Sequence, residues 1–431
     1  MPTTPKSVSI RTYQVGFGDC FLLSFQYGPK SERHVLIDFG STGLPKDVPK
    51  TRMIDIANDI KQRTGGKLHA VVATHRHKDH ISGFETSKGG KGPGDIIRRL
   101  NPDVVVQPWT EDPDLAPKAT GPKAKGFRLL TAKHISALSS MHEVAGRSIA
   151  ESNRLARYLP KSLREQLSFL GEDNLSNKGA VKNLMTMGKN AYVFHGGKSG
   201  LQKVLPGVKV HVLGPPTLEQ TSTIKKQRSK DADEFWHYQA NAMRFAELAK
   251  AEKRTLFPKY VRSQGPSFPI ESRWLIYQAR AIRGEQLLQI VRTLDTAMNN
   301  TSVILVFEVA GKKLLFPGDA QIENWQYAFS QPKNAALLGS INLYKVGHHG
   351  SLNATPKTLW NMFKKNRSAN KSSAKRMKSL MSTMKDKHGS EERGTEVPRT
   401  KLVSALNRET ELFSTEELDS QTLYRDTVLG L

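Results

Sequence analysis

A single cysteine, Cys20, stands among 431 residues. One thiol excludes an internal disulfide framework and fits a reducing compartment. Long apolar runs are missing as well: no window approaches the roughly 20 consecutive apolar residues that span a bilayer. The opening "MPTTPKSVSIRTYQVG" has no apolar h-region of the kind a secretory signal carries. These absences set the expectation of a cytoplasmic protein that makes no membrane contact. Acidic residues are scarce beside basic ones, Asp+Glu 40 against Lys+Arg 65, which leaves a net charge of +25. Such an excess attracts nucleic acid or another polyanion, although charge spread over a surface without any target has the same composition. Apolar residues make up only 37% of the chain, yet they gather into strand-length runs. That pattern implies a folded core carrying polar insertions rather than general disorder. There is no internal repeat.

What is present alternates between strand and helix. "VSIRTYQVGFGDCFLLSF" reads as two strands around the break "GFGD", and "RHVLIDFG" as a third ending at Asp38. "PKTRMIDIANDIKQRTGG" carries helical spacing at Met53, Ile54, Ile56 and Ile60, with a Gly-Gly stop. "KLHAVVATH" is a buried strand, and "IIRRLNPDVVVQPW" a short helix and another strand. This alternation predicts an α/β (α+β) layered fold. Strands return at "AYVFHGG", at "VKVHVLGPP", in a hairpin turning at Ala310-Gly311, and at "INLYKVGHHGS". Two helical, charge-rich stretches, at about 113–190 and 217–295, read as insertions on one domain spanning 1–431. Residues 363–378 hold basic residues and no acidic one, as a solvated loop would. If that loop lines the mouth of a site, Lys364, Lys365, Arg367 and Lys371 offer phosphate contacts.

The chemistry is concentrated in "ATHRHKDHISGF", where three histidines and an aspartate occupy six positions behind a strand. In extended chain, residues i and i+2 point the same way, so His75 and His77 can share one metal ion. Asp79 and His80 follow a bend and are set to hold a second ion beside it. Imidazole nitrogen together with carboxylate oxygen suits Zn²⁺ best, as one or two ions, with Mn²⁺ or Fe as alternatives. A solvated polar loop with incidental histidines is the competing reading, and four ligand-type residues in six weigh against it.

"THRHKDHISG" matches the His-x-His-x-Asp-His signature of the metallo-β-lactamase fold hydrolases. More narrowly, the chain resembles the soluble metallo-hydrolase domain of bacterial competence-type DNA-uptake proteins. The likeness rests on "VGFGDCFLLSF", "LIDFG", "VKVHVLGPP", "NNTSVILVFEVAGKKLLFPGDA" and "LYKVGHHGSLNATP", and covers about half the chain. It implies a four-layer αββα sandwich with helical insertions and a metal-bridged hydroxide attacking phosphorus or carbonyl. It also implies roles for particular residues. Asp319 would be the carboxylate shared by two metals, His349 a further ligand with His348 as its neighbour, and Asp38 the aspartate that orients the metal loop. Many relatives add a histidine between these motifs. The candidates are His134, His142, His195, His211 and His237, with His195 best placed as a metal ligand, against the ordinary alternative of a packed or surface histidine. Asp79, His348 and His388 are the candidate catalytic residues: Asp79 to orient or deprotonate water, His388 to meet a phosphate or act as an acid. Ser302 reads as a strand-start turn more readily than as a substrate contact, and Lys345 as a strand residue pointing away.

The function expected from this is a metal-dependent hydrolase, a phosphodiesterase or nuclease. The alternatives are a hydrolase of small esters, phosphoesters or lactones, and a metal-poor binding protein whose helical insertions dock a protein partner. The oligomeric state is open.

Overall fold

The computed structural model describes residues 4–114, 177–221, 298–351, 355–373, 376–385 and 396–431, with a few isolated positions between them. The chain divides into two compact units. The first comprises Met1–Thr131, Asn177–Ser222 and Met298–Leu431; the second, Ala132–Ser176 and Thr223–Ala297, falls almost entirely outside the described residues. His134, His142, His237 and His388 also lie outside them.

The first unit is a mixed α/β structure with two mixed sheets. The first sheet runs β13 (Tyr424–Gly430), β1 (Ser7–Tyr13), β2 (Cys20–Gly28), β3 (Ser31–Phe39), β4 (Ala70–Val72), β5 (Val104–Pro108) and β6 (Lys189–Val193). It is antiparallel from β13 to β3 and parallel from β3 to β6. The second runs β12 (Glu411–Ser414), β11 (Lys378–Met381), β10 (Leu343–Lys345), β9 (Lys312–Phe316), β8 (Ile304–Val309) and β7 (Lys209–Gly214). The β8–β9 hairpin turns at Ala310 (φ 46°) and Gly311 (φ 80°), where two left-handed residues match the twist of the strands they join.

Alternation along the strands decides what meets what. Val8, Ile10, Phe25, Val35, Val72 and Val106 of the first sheet share one buried cluster with Val210, Leu305, Phe307, Leu314, Leu343 and Phe413 of the second. Residues of the opposite parity in the first sheet, among them Leu22, Leu36, Val71 and Val105, pack instead on helices. These are α1 (Arg52–Arg63), α3 (Pro93–Arg99) and α4 (Lys178–Thr186). Their counterparts in the second sheet, such as Ile304, Val306, Leu315 and Tyr344, pack on α6 (Ile322–Phe329), α7 (Pro332–Leu338), α8 (Lys357–Met362) and α9 (Thr400–Glu409). Among the described residues the remaining α-helices are short: α2 (Lys78–Ile81) in the histidine loop and α5 (Leu201–Val204).

α1 forms because Ile56 and Ile60 lie one turn apart and bury completely, while Gly65 and Gly66, both at positive φ, end it. α4 falls within the stretch read from sequence as insertion, but Ala180, Leu184 and Met187 recur at helical spacing and seal it onto the first sheet. β13 has no counterpart in the sequence reading. It pairs residue for residue with β1 from Ser7↔Gly430 to Tyr13↔Tyr424 and is pinned by Arg11. The guanidinium of Arg11 forks onto Asp426 at 2.9 Å, donates to Asp59 at 2.8 Å and lies 3.5 Å from the centre of the Tyr424 ring. Among the described residues, no helix is long and apolar enough to cross a membrane.

Candidate metal centre

Five segments converge at the ends of β1, β3, β4, β9 and β10. They are the "GFGD" link, the end of β3 at Asp38, the histidine loop, and the turns carrying Asp319 and His349. Glycines permit the approach. A Cβ on Gly18 would collide with the Gly40 carbonyl, and one on Gly40 with the backbone of Asp79. The Asp19 N–H donates to the Asp79 carbonyl at 2.9 Å and the Gly40 N–H to the Asp19 carbonyl at 3.1 Å, which ties the three segments together. Asp38 (φ 55°), His348 (φ 43°) and His349 (φ 50°) hold left-handed backbone conformations that are costly for residues with a Cβ. Strain of this kind gathers where packing dictates a side chain's aim.

Asp79, His80, Asp319 and His349 each offer one ligand atom, and these atoms lie within 4.8 Å of one another in a fully buried group. His349 Nε2 is 2.7 Å from Asp79 Oδ2, and His80 Nε2 is 3.1 Å from Asp319 Oδ2. Each of these side chains is held from behind. Asp38 receives the Thr74 N–H and the Thr74 hydroxyl, both at 2.7 Å, and faces His80 Nδ1 at 2.8 Å. His349 Nδ1 lies 2.9 Å from the Ser382 carbonyl, which makes Nδ1 the protonated nitrogen and turns Nε2 inward. Asp319 Oδ1 accepts the His348 N–H at 2.9 Å, and the Asp319 N–H reaches the Ser302 hydroxyl at 3.3 Å. Ser302 thus shapes the Asp319 turn from a wholly buried position.

His75 and His77 stand next to this group. His75 Nε2 is 2.9 Å from His77 Nδ1, and the His75 ring centre is 4.2 Å from that of His80. No third His, Cys, Asp or Glu among the described residues completes a group with that pair. His195 does not come to it: its Nε2 lies 3.1 Å from Asn334 and its ring meets Tyr327 edge-on. His211 pairs with Glu308 across β7 and β8 at 2.9 Å. His348 is half-buried, with Nδ1 2.9 Å from the Ser351 hydroxyl.

Two residues alter the sequence reading. Lys345 does not point away. It shares the parity of Leu343 in β10, which faces the inter-sheet core, and at the strand's end that direction leads into the site. Its ammonium is buried, in ion-pair contact with Asp19 and 3.5 Å from Asp319 Oδ1. Asp19 itself went unremarked in the sequence, where "GFGD" signals only a turn; no local pattern distinguishes a turn aspartate from one that answers a buried lysine. In the basic loop, Arg367 is committed to Glu409 and stacks on Trp360 at 4.2 Å, while Lys364, Lys365 and Lys371 are exposed.

The electrostatics separate the histidines. Burial pushes His75 well below its ordinary value and His77 down to about 4. Burial opposes charge on His80 too, but the surrounding carboxylates of Asp319, Asp79, Asp38 and Asp19 outweigh it and raise that imidazole's pKa. Burial alone would raise the Asp319 carboxyl, yet His80 and Lys345 hold it well below the usual range. Anionic carboxylates therefore face a position that calls for a cation.

The donor set fits a divalent metal. Two imidazole nitrogens and two carboxylates are the ligands of zinc and similar ions. Asp79 Oδ1, Asp319 Oδ2 and His80 Nε2 are buried without a hydrogen-bond partner, a cost that coordination would relieve. No family model matches the chain, and no curated protein does.

Proposed function

We propose that the chain is a metal-dependent hydrolase of the metallo-β-lactamase fold class, acting on the phosphodiesters of nucleic acid in the cytoplasm. The observation that carries this reading is the buried group Asp79, His80, Asp319 and His349, assembled from segments up to 270 residues apart. The three apolar clusters support a four-layer αββα arrangement, with helices outside two facing sheets.

Asp79, His80, Asp319 and His349 would hold a divalent ion, Zn²⁺ or Mn²⁺, with His75 and His77 beside it. When bound, such an ion supplies Lewis-acid chemistry at a phosphoryl oxygen and makes water more acidic. The protein's own part is orientation. Asp38 keeps His80 with Nε2 facing the site, Ser382 does the same for His349, and Ser302 with the His348 N–H aims Asp319. Burial excludes bulk water from these groups and strengthens their fields. His348 has Nδ1 against Ser351, and burial holds its pKa below the ordinary value, so it is suited to accept a proton rather than to arrive charged. Lys364, Lys365 and Lys371, with the net charge of +25, favour a polyanionic substrate.

The test is cleavage of single- and double-stranded DNA and RNA by purified protein with Zn²⁺ or Mn²⁺, with a chelator control. Metal-dependent cleavage is the expected result. Intact nucleic acid together with hydrolysis of a small ester or lactone would replace the substrate assignment. The absence of both activities, with no metal retained, would remove the enzyme reading in favour of a binding protein.

A further inference from the structure

We propose that the end of the second sheet remote from the metal centre is a binding surface for the phosphate backbone of nucleic acid, built on Lys364, Lys365 and Lys371. Strand direction places it there. β9, β10, β11 and β12 run parallel to one another, with Leu343 opposite both Leu314 and Lys378, and Lys378 opposite Glu411. Asp319, His349 and Ser382 follow the C-terminal ends of β9, β10 and β11. A parallel crossover must carry the chain back to the opposite end before the next strand begins. α8 makes that return between β10 and β11, so the basic loop 363–378 does not line the metal centre. It lies at the N-terminal ends of these strands. Nor does it hang in solvent. The Asn366 amide donates to the Ile341 carbonyl at 2.6 Å, just before β10. The Met377 N–H donates to the Asn366 carbonyl at 2.8 Å, and the Ser368 N–H to the Glu409 carbonyl at 2.9 Å.

Other cations meet the loop at this end. Lys312 and Lys313 open β9, and Lys378 opens β11. Lys209 opens β7, whose start lies at the same end because β7 and β9 both run antiparallel to β8. Among the described residues, the carboxylates of these strand ends and links are already engaged: Glu308 with His211 at 2.9 Å, Glu411 with Lys378 at 2.6 Å, and Glu409 with Arg367. Lys209, Lys364, Lys365 and Lys371 are exposed. Favourable placement at a helix C-terminus accounts for Lys364 and Lys365, which close α8, but not for Lys371 or Lys209. Like charges gathered at one end repel one another, and a polyanion relieves that repulsion.

Nucleic acid fits this surface better than an anionic membrane does. Interfacial binding needs aromatic or aliphatic side chains exposed among the cations. The exposed large hydrophobics of the described residues, Ile54 in α1 and Val428 in β13, lie elsewhere. Trp360 offers no anchor, since it is half-buried with the Arg367 guanidinium 4.2 Å from its ring centre. The surface holds a polymer on the protein without touching the metal centre.

The test is binding of a short labelled DNA duplex to full-length protein in the presence of chelator, followed by fluorescence anisotropy over a series of salt concentrations. Wild type is expected to bind with steep salt dependence. Lys364→Gln/Lys365→Gln/Lys371→Gln, checked for folding by circular dichroism, is expected to bind at least tenfold more weakly at about 100 mM salt. It should also lose about three from the slope of log affinity against log salt, one for each phosphate contact. Lys46→Gln/Lys50→Gln/Lys61→Gln removes the same charge in and before α1, on the first sheet. That control is expected to stay within about threefold of wild type. No binding by wild type, no loss in the first variant, or equal loss in both variants overturns the proposal. Tighter binding to vesicles of phosphatidylserine and phosphatidylcholine than to DNA overturns the nucleic-acid assignment. Because chelator is present, binding by a protein that never cleaves DNA supports this surface and counts only against the hydrolase reading.

Discussion

Asp38 shows how much of this candidate site lies in the residues that hold its side chains in place. Its two oxygens hold the Thr74 backbone, the Thr74 hydroxyl and His80 at 2.7–2.8 Å, so it sets both the loop and the ring. Asp38→Asn keeps the shape but presents a donor where one oxygen accepted. Outer partners of metal-ligating histidines are worth about 10–100-fold in metal affinity, and a loss of that size in Zn²⁺ titration is expected for this variant. On the proposed function, Asp79→Asn and His349→Ala remove ligands outright, so both should lose retained metal by elemental analysis. Of these residues, the histidine loop and Asp319 were legible in the sequence because their types and order are distinctive. Asp19 and Lys345 were not, because each is an ordinary strand-end or turn residue until the other is brought beside it.

At the scale of elements, the site depends on three stretches of backbone touching without side chains between them. Gly40 follows β3 and abuts the Asp79 backbone. Gly40→Ala must push the histidine loop away from the "GFGD" link, so metal affinity should fall at least tenfold while the sheets persist by circular dichroism. Unchanged affinity in Gly40→Ala would show that the loop position does not depend on this contact. β13 supplies a second case. Arg11 joins β1 to β13 through Asp426 and to α1 through Asp59, largely out of solvent. Because the Asp426 side chain is 39% exposed, the loss in Arg11→Ala should be milder than for a fully buried pair. About 2 kcal/mol is expected, read as a shift in the denaturant midpoint. Most strands and α1 were readable from alternation and helical spacing. β13 was missed because "YRDTVLG" is an edge strand with polar residues on its outer face, a pattern that loops share.

For the whole molecule, two consequences follow from charge. His34 in β3 and His69 just before β4 are buried, and burial depresses each to about 4. His69 Nδ1 accepts the His34 N–H at 3.0 Å, which a protonated ring cannot do. Unfolded histidine titrates near 6.5, so between about pH 6.5 and 4 the unfolded chain binds the extra protons. This contribution to stability is full above pH 6.5 and is lost as pH falls through 4. Each ring is expected to account for up to about 3 kcal/mol. Denaturant unfolding of wild type and of a His34→Gln/His69→Gln protein across that range checks it, the double variant having the shallower decline. The net charge of +25 gives the other consequence. Nucleic-acid affinity should drop at least tenfold between about 50 and 200 mM salt, through counterion release. Salt-independent binding would separate the charge from the substrate.

By itself the sequence determined the local elements and the inventory of ligand-type residues. Strand alternation, helical spacing and the density of His75, His77, Asp79 and His80 are all short-range properties of the chain. Only the tertiary structure decided the composition of the site. It placed Asp319 and His349 against Asp79 and His80, left His195 with Asn334, and turned Lys345 onto Asp19. The reason is physical: whether a charged side chain points to solvent or into a sheet edge depends on what distant segments bring to meet it. For Lys345 that partner lies 326 residues earlier in the chain, numbers 19 and 345 being the two ends of the pair.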